Sequence, residues 1–321
     1  MPWDSWLNVG LWNFDWEDEA GLYIDNDAWV TDLDRTGFYW RKNLEKGDIT
    51  LFAAHDEADA DTVGAGDFYN YGARFNFNVN DKFRIALSGI YTDYDSDGAF
   101  VGVSAADGID LGEYVVADYG TYWADFGITF APGFQFKGAY FMQDFDKPAH
   151  LIGTYTYIDN YDDSPNAYKA IIDVSQDVLK FTSLWLEYAK FDPNFQTAYG
   201  PWDNYGAELT PNLIAPSLWN VFETEAIFVR LEQKWSDKWV TFQRYGQFDH
   251  SPEAYSGLLG SYDITNWTFG VQYWYTPTVM FELVYDDVDY DDGWSTAVED
   301  GGVGDPDLRD DNLIRLRTHI F

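Results

Sequence analysis

The residues of this chain whose types and spacing could do chemistry are its few cations. Arg74, Arg84, Lys137, Lys169, Arg230, Lys234, Arg315 and Arg317 fall on the polar side of segments that alternate residue by residue, and Glu232 and Glu282 share that side. If that side encloses a passage, these groups line it while acidic segments lie over its mouth. Opposed charges across a narrow passage create a transverse field that orients polar solutes and sets ion preference. The plainer alternative is that each cation pairs with a neighbouring carboxylate such as Asp125, Asp173, Glu187, Glu232 or Glu282.

Other chemistry is sparse. The acidic runs include Asp15-Trp16-Glu17-Asp18-Glu19, Asp56-Glu57 with Asp59 and Asp61, and Asp286-Asp287 with Asp289, Asp291 and Asp292. Carboxylates this dense repel one another unless cations intervene, which allows bound Ca²⁺ or Mg²⁺. Asp93, Asp95, Asp97 and Gly98 resemble the opening of a calcium loop, but its twelfth position is Ser104 rather than Glu, so a solvated acidic rim is the competing reading. The histidines are His55, His150, His250 and His319, and none has an acidic orienting partner at a fixed spacing. With so many carboxylates, any Asp/Glu pair could be nominated as a hydrolytic dyad, and the nomination discriminates nothing. There is no phosphate-binding glycine loop, zinc spacing or haem-attachment signature. The expectation is a non-enzyme with no catalytic residue and no organic cofactor.

Composition narrows the setting. The formal charge is −36, from 55 acidic against 19 basic residues, so a nucleic-acid partner is excluded by repulsion. Disordered chains are poor in aromatics, whereas this one is 20% aromatic and must fold. Without Cys there is neither a disulfide scaffold nor a thiolate metal site. No run of about 18 apolar residues is present to cross a membrane as a helix. Met1-Pro2-Trp3-Asp4 lacks the charged and apolar regions of a signal peptide. If the chain is exported, its numbering describes a mature chain, a recombinant one or a fragment.

The elements that must position the cations are strands. From Tyr69 to Val79 one face carries Tyr71, Phe75 and Phe77 and the other Asn70, Arg74, Asn76 and Asn78. Such a period of two argues strand rather than helix. Asn80-Asp81 supplies turn chemistry, and the chain returns with Phe83, Ile85 and Leu87 opposite Arg84 and Ser88. The unit recurs with Phe126, Ile128 and Phe136, and again with Phe269, Val271, Phe281 and Leu283. Two pairs, around 167–190 and 225–248, alternate less cleanly. Roughly 14 strands of about 9–11 residues result, the length a tilted strand needs to cross a bilayer. The ambiguous stretches 22–33 and 151–158 raise the upper bound to about 16. Connections at 80–82, 131–133, 176–179, 236–238 and 276–278 are short. Those at 15–35, 56–67, 93–118, 144–166, 191–223, 249–263 and 286–311 are long and acidic. Nothing marks a linker, so residues 1–321 form one domain.

Alternation alone does not separate a soluble sandwich, apolar side inward, from a membrane barrel, apolar side to lipid. Three features favour the barrel. The apolar faces are Phe, Tyr, Trp, Ile and Leu for whole strand lengths, the connections are sorted by length, and aromatics cluster near strand ends. Tyr71, Phe75, Phe77, Phe83, Ile85, Leu87, Phe126, Ile128, Phe136, Phe269, Val271, Phe281 and Leu283 are then the lipid-facing set. The expected fold is all-β: a transmembrane antiparallel up-and-down β-barrel with short turns at one end and long acidic loops at the other. Segments 15–35 and 191–223 are the loops expected to fold inward. Two rivals stand beside it: a secreted, soluble β-rich carbohydrate-binding protein or glycoside hydrolase, and the barrel sleeve of an electron-conduit complex.

The run Gly21-Leu22-Tyr23-Ile24-Asp25-Asn26-Asp27, the opening Tyr71-Gly72-Ala73-Arg74, the turn Asn80-Asp81-Lys82 and the ending Arg315-Leu316-Arg317-Thr318-His319-Ile320-Phe321 resemble the barrel of porins that carry S-layer-homology domains, found in diderm Firmicutes and related bacteria. The S-layer-homology domain itself is not in this chain. Phe321 also shares the parity of Arg315 and Arg317 rather than that of Ile314, Leu316 and Ile320. The resemblance implies a porin of the bacterial outer membrane, commonly a homo-trimer, embedded in outer-membrane lipid and passing small polar solutes and ions by passive diffusion.

Overall fold

In the computed structural model the alternating segments are strands. The structure describes residues 4–13, 34–56, 68–94, 100–104, 110–115, 118–145, 151–152, 164–192, 195, 223–251, 264–290 and 311–321. The strands are β1 (Ser5–Asn13), β2 (Asp34–Leu44), β3 (Gly47–Asp56), β4 (Phe68–Asn80), β5 (Phe83–Tyr94), β6 (Phe100–Ser104), β7 (Asp110–Val115), β8 (Tyr119–Ala131), β9 (Phe134–Phe145), β10 (Leu151–Ile152), β11 (Asn166–Val174), β12 (Ser183–Phe191), β13 (Glu223–Lys234), β14 (Trp239–Ser251), β15 (Ile264–Thr276), β16 (Val279–Tyr290) and β17 (Asp311–Ile320). One four-residue helix, α1 (Gln176–Leu179), joins β11 to β12. Among the described residues no helix is long and apolar enough to cross a membrane.

Fourteen of these strands form one antiparallel, up-and-down sheet in chain order, and β6, β7 and β10 form a separate three-stranded sheet. That second sheet corrects the reading of 93–118 as a plain loop, and its β10 falls within the ambiguous stretch 151–158. The β2–β3 hairpin, turning at 45–46, is a second addition. The sorting of connections holds: every short turn of the large sheet lies at one end and every long connection at the other.

The short turns are tight for a chemical reason. At Pro132-Gly133 the proline presets φ for the turn, and Gly133 takes φ +76°, a left-handed value that costs a residue with Cβ. Three hairpins also carry a register shift just before the turn, between Asn78 and Asn80, Thr129 and Ala131, and Trp274 and Thr276. Each bulge leaves one side chain (Val79, Phe130 or Tyr275) out of the ladder, and all three are exposed. The turn end is then stitched sideways: Ser175 N donates to Gly133 O at 2.7 Å, and Gln176 exchanges two hydrogen bonds with the backbone of Lys234, at 3.2 and 2.7 Å.

Cross-strand register fixes which side chains share a face. Leu51 pairs with Ala73, Phe75 with Leu87, Leu87 with Ala124, and Ala124 with Tyr140. This face is exposed around the sheet, with Phe75 at 42%, Leu87 at 56% and Phe269 at 48% exposure. The opposite face is mostly buried, yet no second layer of described elements covers it. A sheet that shields one face with no partner layer has curled around that face. Among the described residues no ladder joins β1 to β17, and these two strands carry the most exposed outward side chains, Val9 and Leu11 on one and Ile314 and Leu316 on the other. The ring is one ladder short of closure.

Candidate pore wall

All ten residues nominated from sequence as pore lining lie on the inward face. Arg74, Arg84, Lys137, Lys169, Arg230, Glu232, Glu282, Arg315 and Arg317 sit at inward register positions within strands, and Lys234 ends β13 at the turn rim. All thirteen residues nominated as lipid-facing lie on the other face. Of the nominated metal residues, Asp93 is on the outward face opposite Tyr69, and Asp95 and Asp97 lie outside the described residues, as do the acidic runs 15–19 and 57–61.

The inward charges are joined along the wall rather than left bare. Arg74 forks onto Asp125 at 2.7 and 3.0 Å, reaching from β4 across β5 to β8, and donates to Ser88 on the way at 2.7 Å. A guanidinium suits this span because its planar donors match a carboxylate. Arg84 lies over Gly127, within electrostatic reach of the same Asp125. On the next strands Lys137 donates to Asp173 at 3.0 Å while resting 4.6 Å over the ring of Trp185. Lys169 stands 3.8 Å from Glu187, which also accepts the Trp185 indole N–H at 3.0 Å. Arg230 donates to Glu232 at 2.7 Å. Glu282 accepts from Gln272 at 2.8 Å and lies 3.5 Å from His319. The cations share one face of the sheet, and Arg74, Lys137, Lys169 and Arg230 are paired with carboxylates named for them.

Sequence reading missed several members of this wall. Arg41 pairs with Asp48 at 2.9 Å across the unread β2–β3 hairpin. Arg244 lies 4.8 Å over the ring of Phe242, and Asp286 accepts from Thr268. These positions share the inward parity of recognised neighbours, and that parity was the signal available for Asp286. Large rings also line the inside, where the sequence led us to expect amides and cations. Phe52, Trp123, Phe141, Trp185 and Phe242 are all buried there. Two of them lie flat because their partners lack a side chain: Phe52 pairs with Gly72 and Phe242 with Gly270, and a Cβ at either glycine would overlap the ring. Just beyond β12, Phe195 turns inward against Phe191 and Phe141, with ring centroids 5.9 and 6.1 Å away. Beyond Phe195, the segments 191–223 and 15–35 expected to fold inward lie almost wholly outside the described residues. Phe321 keeps its inward parity, stacking 5.6 Å from Trp274.

An up-and-down antiparallel wall of this size, apolar outside and charged inside, with sorted connections, has the architecture of outer-membrane β-barrel channels. The solved structures that it resembles include OpdQ of Pseudomonas aeruginosa, with a TM-score of 0.55, 9% identity and coverage of 98% of this chain and 78% of that one. OccK7 (OpdD) of the same organism gives 0.52 at 10% identity, covering 99% and 75%. Its outer membrane protein OprD gives 0.50 at 12% identity, covering 98% and 75%. At such identities the likeness establishes the fold. No family model and no curated protein sequence matches the chain.

Proposed function

We propose that this chain is a channel of the bacterial outer membrane through which ions and small hydrophilic solutes diffuse passively. One observation carries the reading. The outward face is apolar on almost every strand of a fourteen-stranded sheet, while the inward face holds an ion-paired polar network. In hydrocarbon such a sheet must satisfy every backbone group within itself, so β1 and β17 pair with each other once the chain is in a bilayer. The soluble sugar-binding alternative requires Phe75, Phe126 and Phe269 to be interior, and all three point outward. Paired charges along the wall favour hydrated solutes over apolar ones. Assembly as a homo-trimer, implied by the porin resemblance, belongs to the same proposal.

The test is single-channel recording in planar lipid bilayers with protein purified in detergent. Stepwise conductance that is ohmic at low voltage is expected. Current no greater than that of protein-free bilayers refutes the channel.

A further inference from the structure

One strand breaks the outward pattern. On β4, β5, β8, β9, β15 and β16 the outward positions are Leu, Ile, Val, Phe, Tyr, Trp, Met, Ala or Gly, and the outward polar residues of these strands (Asp93, Asp144, Thr265, Asp287 and Asp289) fall at the loop end. On β14 the outward positions between the two strand ends are Thr241, Gln243, Tyr245 and Gln247, while Val240 and Phe242 of the same strand turn inward. Register leaves no doubt about the side: Gln243 pairs with Phe269, and Thr241 with Val271, both of which are lipid-facing. Gln233, also outward, joins them from β13.

These groups form a built cluster. The amides of Gln233 and Gln243 exchange two hydrogen bonds, at 3.0 and 3.1 Å. Gln233 Nε2 donates to Thr182 at 2.8 Å, and Thr241 donates to Gln233 Oε1 at 2.8 Å. Trp235 donates its indole N–H to Thr241 at 2.8 Å. A second chain continues toward the loop end, from Tyr245 to Gln247 and on to Asp249, each at 3.0 Å. Beside it Lys190 bonds Glu223 and Glu225 at 2.8 and 3.1 Å. Exposed Trp239 and Trp267 flank the cluster.

A primary amide has two donors and two acceptor sites. Gln243 uses one N–H and one lone-pair site within the cluster, which leaves an outward amide edge able to donate and to accept. Such an edge is complementary to itself. Hydrocarbon offers it nothing, whereas the same residue of another copy completes it, in a pair or around a three-fold axis. The mixed charges of Lys190, Glu223 and Glu225 are self-complementary in the same sense.

We propose that the outward face of β13 and β14 is the surface through which copies of this chain associate in the membrane, with Gln243 near its centre. The proposal rests on the membrane reading above. The chain has no Cys, so single cysteines report cleanly. Gln243→Cys, Leu283→Cys and Leu87→Cys proteins would be reconstituted into phosphatidylcholine vesicles and oxidised with copper phenanthroline, then run on non-reducing gels. A disulfide-linked dimer should form at least fivefold more from the Gln243→Cys protein than from the other two. Equal yields, or a larger yield at Leu87 or Leu283, overturn the interface. As a second readout, wild-type protein and the Gln233→Leu/Gln243→Leu double variant would be sedimented in detergent. Oligomer for the first and monomer for the second is expected, and a monomeric wild type or an unchanged double variant refutes it. A protein that stays soluble without detergent and ignores vesicles instead removes the membrane reading, an outcome distinct from failed cross-linking by inserted protein.

Discussion

Replacing Arg74 with Met isolates the energetics of the wall. Arg74 keeps 5% of its side chain exposed and Asp125 2%, with two charge-assisted hydrogen bonds between them and a third to Ser88. Removing the cation leaves a shut-in carboxylate stripped of its hydrogen-bonded counter-charge, with Arg84 acting on it only at electrostatic range. Breaking one partner of such a pair costs about 3–5 kcal/mol, whereas removing both ions in favour of apolar residues is often close to neutral. Arg74→Met should therefore destabilise by about 3–5 kcal/mol. Arg74→Met/Asp125→Leu should be about 2 kcal/mol more stable than the sum of its singles, within the usual range for contacting residues. Reversible urea unfolding from lipid vesicles, followed by the fluorescence of the chain's 15 Trp, gives these values by linear extrapolation. A single-variant cost below about 1 kcal/mol, or strict additivity of the two changes, refutes a dehydrated pair bridging β4 and β8.

Further outcomes follow from the same geometry. Gly270→Ala places a methyl group into the Phe242 ring, which must lift off the wall; a loss of about 1–3 kcal/mol is expected, with a smaller single-channel conductance than wild type. Leu283→Arg sets a charge on the outward face, and a cost of about 2–4 kcal/mol in vesicle refolding is expected if it lies near the bilayer midplane. An unchanged refolding midpoint shows that this face does not meet hydrocarbon.

What the sequence disclosed depended on how cleanly each strand separated its two faces. Tyr69–Val79 and Trp267–Tyr275 put apolar residues on one side at every step, so side, turn and direction could all be read. β2 could not, because Phe38, Tyr39 and Trp40 are consecutive rings and hydropathy loses its period there. β14 alternated poorly for a different reason, its polar residues having moved to the outer side. Pairings such as Arg74 with Asp125 are set by register across an intervening strand, over 51 positions of sequence, and no local pattern encodes them. The bulges before the turns shift that register by one, which pattern reading does not count.

Every ladder of the large sheet joins strands that follow each other in it. Growth by adding hairpins to a free edge therefore confronts only the chain-closure entropy of a single connection, which rises slowly with its length. Joining the first strand to the last is different in kind, since it brings together residues some 300 positions apart and fixes the circumference at a single moment. Rim size is thus decided late, by whichever partner the two free edges accept, and a membrane that tolerates no idle edge makes that acceptance compulsory.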